Sequence, residues 1–120
     1  MLIAYMALIF TLSAQSRLPQ PDISNIDKVE HFIAYAGLSV VAFWSVATAR
    51  RKKSLLFCFV LAVLIASAYG VTDEFHQRFV PGRSCDPWDW TVDTLGAAAG
   101  AAVLSILAKR RRSERDGRKI

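Results

Sequence analysis

The sequence predicts an all-α fold: a polytopic membrane bundle of four transmembrane helices, the first of them short, with both termini cytoplasmic. Three observations carry this expectation. Residues 32–49 (FIAYAGLSVVAFWSVATA) and 54–72 (SLLFCFVLAVLIASAYGVT) hold no charge, and each approaches the roughly 20 residues that cross about 30 Å of hydrocarbon as a helix. A third block, 88–108, is interrupted only by Asp89 and Asp93 in its first turns. The basic residues gather in two short segments, RRKK at 50–53 and KRRRSERDGRKI at 109–120, which hold 11 of the 15 Lys and Arg. A surface helix of a small soluble domain needs a polar face, and 54–69 offers almost none.

Each element has its own justification. The opening run MLIAYMALIFTLSAQ reaches only about 22 Å as a helix. It is a short first span, or its true start lies upstream of Met1. A cleaved signal peptide fits less well, because no basic segment precedes the apolar one. The second helix opens near Asp27. The third runs past residue 72 until Pro81-Gly82 stops it. The fourth starts at Asp86-Pro87, an acceptor before a proline at the first helical position. A chain of 120 residues makes one domain, here 1–108 in the membrane and 109–120 as a basic cytoplasmic tail, frayed and solvated.

Charge sets the orientation. Basic segments stay on the cytoplasmic side, which places 50–53, 109–120 and the N-terminus together and puts every polar cluster on the outer face. The net charge of +5 and pI near 9.6 follow from this topology, so no nucleic-acid partner is expected. Cys58 and Cys85 fall near opposite faces, roughly 20 Å or more apart against a limit of about 7 Å for a bridge, and neither lies in a C-x-x-C pattern.

Ionisable residues at the ends of membrane helices are costly to desolvate and usually face a bundle interior or a wet cavity. Three clusters qualify. On the second helix, Asp27, His31, Tyr35 and Ser39 recur every four residues and form one stripe, with Lys28 beside them. An interfacial anchor accounts for Asp27, Lys28 and Tyr35 but poorly for His31. On the third helix, Tyr69, Asp73, His76 and Gln77 share a broad face, while Glu74 also reads as an ordinary solvated helix end. Two acids, a histidine and a glutamine within five residues are nonetheless equipment for acid–base work or metal binding. Arg83 leaves the Pro81-Gly82 turn with a planar fork matched to phosphate or carboxylate, or serves as an unspecific lipid contact. On the fourth helix, Asp89 and Asp93 continue into Gly96 and Gly100, a G-x-x-x-G packing face that would draw both acids into the bundle. Trp88 and Trp90 fit an interfacial aromatic belt.

Taken together, DKVEHFIAYAGL, YGVTDEFHQRFVPGRS and DWTVDTLGAAAG, with LSAQS at the end of the first run, resemble the VanZ-like membrane proteins over roughly residues 8–104. Asp93 departs from the asparagine common in that family, and the first span is shorter than usual. The resemblance implies a bacterial cytoplasmic membrane and a link to teicoplanin-type glycopeptide resistance; it supplies no mechanism.

The leading functional expectation is a site that binds or acts on an anionic envelope lipid or lipid-linked precursor. Lys28 and Arg83 would hold the phosphate. His31, Asp73, Glu74 and His76 would supply acid–base groups, and Tyr35, Gln77, Ser84, Asp89 and Asp93 polar contacts. It needs no cofactor. One alternative is a metal-dependent membrane enzyme with His31, His76 and two carboxylates on a divalent ion, although no H-E-x-x-H spacing is present. Another is a non-catalytic assembly module pairing through its G-x-x-x-G face. An ion or proton path is disfavoured, because the charges cluster at one face.

Overall fold

The computed structural model describes residues 1–15, 26–49, 53–83 and 86–119, apart from the side chain of Asp27. The described residues form four helices and no strand: α1 (Leu2–Ser13), α2 (Ile26–Ala49), α3 (Leu55–Gln77) and α4 (Pro87–Gly117). Three stretches have the length and apolar composition to cross a membrane, Lys28–Ala49, Leu55–Gln77 and Pro87–Gly117. The helix α1, with 12 residues, reaches about 18 Å. The all-helical fold class expected from the sequence is the one observed.

Local chemistry fixes the helix ends. Ser54 Oγ accepts from Phe57 N at 3.1 Å and starts α3. Asp86 Oδ1 accepts from Trp88 N at 3.0 Å and starts α4, with Pro87 behind it. A cap of this kind contributes about 1 kcal/mol. After α3 the chain turns at Gly82, whose φ of 81° is a left-handed conformation that only glycine adopts at no steric cost.

One sequence expectation is corrected. The basic tail does not fray at Ala108; α4 runs on as helix to Gly117. Arg, Lys and Glu are good helix formers, and Arg110/Glu114 and Arg112/Asp116 set opposite charges four residues apart. This extension contributes to a molecule 61 Å long and 26 × 20 Å across.

Packing follows the small residues. The most extensive contact is α2 on α4, then α3 on α4 and α2 on α3; α1 lies against α2 and α3 and not against α4. Gly96, Ala97, Gly100 and Ala101 are buried along α4. A Cβ on Gly96 would run into the carbonyl of Phe32, and one on Gly100 into the carbonyl of Ala36 and the hydroxyl of Ser39. Backbones approach this closely only where side chains are absent, so the G-x-x-x-G face is used inside the chain. Leu56, Leu64, Leu95 and Val103 point outward, an apolar exterior matched to lipid.

The helices alternate in direction. The end of α1, the start of α2, the end of α3 and the start of α4 therefore meet at one end of the bundle, as contacts between Ser13 and Asp73, Lys28 and Asp89, and His31 and Asp93 require. The basic extension of α4 leaves from the opposite end.

Candidate functional site at the polar end of the bundle

Among the described residues, two groups of polar side chains gather at the polar end, one on the α4 side and one on the α1 side. On the α4 side, His31 Nδ1 lies 2.8 Å from Asp93 Oδ1. Asp93 is wholly buried and the His31 side chain only 10% exposed. One turn further out, Lys28 Nζ donates to Asp89 Oδ1 at 3.1 Å and stands 3.6 Å from Asp86 Oδ2. From α3, Glu74 turns towards α4, where its Oε2 accepts the backbone N–H of Asp86 at 3.2 Å. Glu74 is 5% exposed, which corrects its reading as a solvated helix end. Asp86, needed by the sequence only as a cap, is thus also part of the cluster. Gly70 makes room beneath: a Cβ there would stand 3.1 Å from Asp93 Oδ2 and 3.4 Å from the Tyr35 ring.

On the α1 side, Asp73 is the centre. Its Oδ1 accepts from Ser13 Oγ; its Oδ2 accepts from Tyr35 OH and from Gln77 Nε2, each at 3.3 Å. Gln77 Nε2 also reaches Ser13 Oγ at 3.2 Å. All four residues are buried. Both carboxylate oxygens of Asp73 are therefore satisfied, as buried polar atoms require. Ser13 carried no role in the sequence reading; its signal was its place in LSAQS at the end of the first run. Tyr5 OH on Ala34 O at 3.0 Å and Tyr69 OH on Met6 O at 2.6 Å fasten α1 further along its length.

The remaining expected residues make other contacts or lie outside the described residues. His76 stacks on Phe10 with ring centroids 4.3 Å apart, and its Nδ1 is buried with no hydrogen-bond partner among the described residues. Residues 74 and 76 stand about 200° apart around a helix at 100° per residue, so His76 and Glu74 cannot serve one site. Arg83 reaches the end of α1. Its Nε donates to Gln15 O at 3.1 Å and a terminal nitrogen to Leu12 O at 3.3 Å, at the end of α1, where Leu12 O also accepts the backbone N–H of Gln15. Ser84, Cys85 and the side chain of Asp27 lie outside the described residues.

The α4-side cluster is acidic. Asp86, Asp89, Asp93 and Glu74 face Lys28 and His31, with Asp73 behind. Two of its buried oxygens, Glu74 Oε1 and Asp93 Oδ2, have no hydrogen-bond partner among the described residues. One ligand atom from each of His31, Glu74 and Asp89 lies within 4.8 Å of the other two. Chemically, the arrangement offers an imidazole held by a carboxylate, carboxylates in excess of cations, and one partly exposed ammonium group.

Among known proteins, no solved structure matches this chain. The uncharacterized protein C11E3.10 of Schizosaccharomyces pombe is 32% identical over 90 residues, which cover 74% of this chain and 52% of that one. The chain thus spans about half the length of the curated relative it matches, and that relative is a yeast protein, so the bacterial membrane expected from the sequence is not established. Residues 1–108 match the family model described as VanZ/LLP1, and on that match the chain belongs to the VanZ/LLP1 family.

Proposed function

We propose that this multi-pass membrane protein uses its polar end to engage the phosphate-bearing headgroup of a membrane lipid or lipid-linked envelope precursor. The observation that carries the reading is the position of Lys28. Its side chain is 40% exposed at the mouth of a buried His–carboxylate pair, at the end of helices that cross the membrane, where headgroups lie. An ammonium there meets a phosphate oxygen, and His31, held by Asp93, supplies the acid–base group one turn below. This reading leaves Arg83 aside, because its described hydrogen bonds go to carbonyls at the end of α1. The positive-inside rule places the basic end of α4 in the cytoplasm and the polar end on the outer face. In a bacterial host, the family makes teicoplanin sensitivity the first phenotype to assay.

The test is direct. Purified protein in phosphatidylcholine nanodiscs is doped with phosphatidic acid or a polyprenyl phosphate, and thermal unfolding is followed. The midpoint should rise for wild type and for Arg83→Lys, and the rise should vanish in Lys28→Gln. An equal rise in Lys28→Gln would end this reading.

A further inference from the structure

Among the described residues, carboxylates outnumber cations in the cluster, and its geometry indicates what balances them. Lys28 is engaged with Asp89 and Asp86 at the rim. Deeper in, Glu74 Oε1 and Asp93 Oδ2 are buried without a hydrogen-bond partner among the described residues. An unpaired ionised carboxylate in such a place costs several kcal/mol, and buried polar atoms are almost always satisfied. Glu74 comes from α3 and is 95% buried by its 5% exposure, yet it brings its carboxylate to the imidazole of α2 and the carboxylate of α4.

We propose that His31, Glu74 and Asp89 form a binding site for one divalent transition-metal ion of the zinc or manganese class. Three helices each contribute one ligand. Their ligand atoms lie within 4.8 Å of one another, whereas ligands on a common ion with bonds near 2.1 Å lie at most about 4.2 Å apart. Binding an ion therefore requires a small movement of these side chains, Asp89 among them, which is 13% exposed and now accepts from Lys28. Asp93 is the positioning residue. It takes His31 Nδ1 at 2.8 Å, which fixes the ring and leaves Nε2 for the ion, the carboxylate–histidine–metal arrangement that orients a ligand and raises its basicity. One imidazole with two carboxylates suits zinc or manganese better than calcium, which takes oxygen alone. An ion held by three protein groups keeps open positions for water or a phosphate oxygen. The site stands on its own geometry, whether or not a lipid headgroup is the ligand; with the ion bound, both nitrogens of His31 are engaged and it serves as a ligand in place of an acid–base group.

The experiment uses the full chain in detergent, with Cys58→Ser and Cys85→Ser to remove thiol binding, stripped with chelator and titrated with zinc or manganese chloride alone. One ion per chain should bind, and the unfolding midpoint should climb with ion concentration, as linkage requires. Glu74→Gln and Asp89→Asn keep shape and should each weaken binding on the order of 100-fold; His31→Ala should abolish it. Asp93→Asn still offers an oxygen to Nδ1 and should stay close to wild type, while Asp93→Ala should lose about 10- to 100-fold. Lys28→Gln removes a competing cation and should tighten binding, the reverse of its effect on a phosphate. His76→Ala should change nothing. Cobalt in place of zinc should give d–d absorption that shifts in Asp93→Ala, which a purely structural role would not produce. Absence of stoichiometric binding, or binding that survives the Glu74→Gln/Asp89→Asn double variant, would overturn the proposal.

Discussion

His31 on α2 and Asp93 on α4 stand 2.8 Å apart, joining the two helices that pack most extensively, with Asp93 wholly excluded from solvent. The pair is a joint as well as a site. Removing one partner of a buried pair leaves the other uncompensated and costs about 3–5 kcal/mol. His31→Ala should therefore lower the thermal midpoint, and adding Asp93→Asn should restore most of it, since a neutral amide tolerates the vacancy better. A double-mutant cycle in detergent reads the coupling. Strictly additive effects would mean that the two side chains meet without interacting.

The α1 helix depends on polar contacts more than the other three. It is short, packs only on α2 and α3, and leaves Ile3, Leu8 and Leu12 exposed. Ser13 donates to a buried carboxylate, and hydrogen bonds to charged groups contribute about 1.5–3 kcal/mol. Ser13→Ala should loosen α1 alone. Hydrogen exchange should quicken across 2–13 and stay slow in α2–α4. A uniform rise across all four helices would show α1 to be integral to one cooperative unit.

The α2–α4 seam tolerates no added side chain. Gly100 meets the carbonyl of Ala36 and the hydroxyl of Ser39, and Gly96 the carbonyl of Phe32. Overpacking commonly costs about 1–3 kcal/mol, and here the obstruction is backbone, which cannot step aside. Gly100→Leu should lower folded yield and separate Lys28 from Asp89. Because this face is filled within the chain, it is not offered to a partner, and the assembly-module alternative loses its surface. An unchanged unfolding midpoint in Gly100→Leu would contradict this packing.

The sequence made the helices legible because membrane spans are read from length and apolarity alone, and Pro81-Gly82 and Asp86-Pro87 punctuate them. It also made the inward stripe legible: Tyr35 and Ser39 follow His31 at four-residue spacing, and both are buried. What stayed hidden was which helix faces which. Glu74 read both as an acid–base candidate and as a solvated helix end, because periodicity cannot reveal that α4 covers that face. The bonds of Arg83 to the carbonyls of Leu12 and Gln15 were hidden too, because its fork fits carbonyls as well as phosphates and spacing does not show where α1 ends. The two histidines read as one ligand set, since spacing within a helix says nothing of pairing between helices; the structure brings only His31 to Glu74 and Asp89.

The opposed ends of the bundle make a topology prediction that does not depend on the chemistry of the site. The α3–α4 turn carries Phe79, 73% exposed, at the polar end, and Ser113 lies on the basic extension of α4 at the other. Basic segments remain in the cytoplasm, and seven of the eleven residues at 109–119 are Lys or Arg. In a background with Cys58→Ser and Cys85→Ser, a membrane-impermeant maleimide added to intact cells should label Phe79→Cys and spare Ser113→Cys until the cells are opened. The reverse pattern would invert the protein and bring the acidic cluster to the cytoplasmic face, within reach of cytosolic phosphates instead of envelope lipids. Labelling of both from outside would mean that α4 does not cross the membrane at all. Phe79 is the informative position because it belongs to the turn between two spans, so its side of the membrane fixes the direction of both α3 and α4.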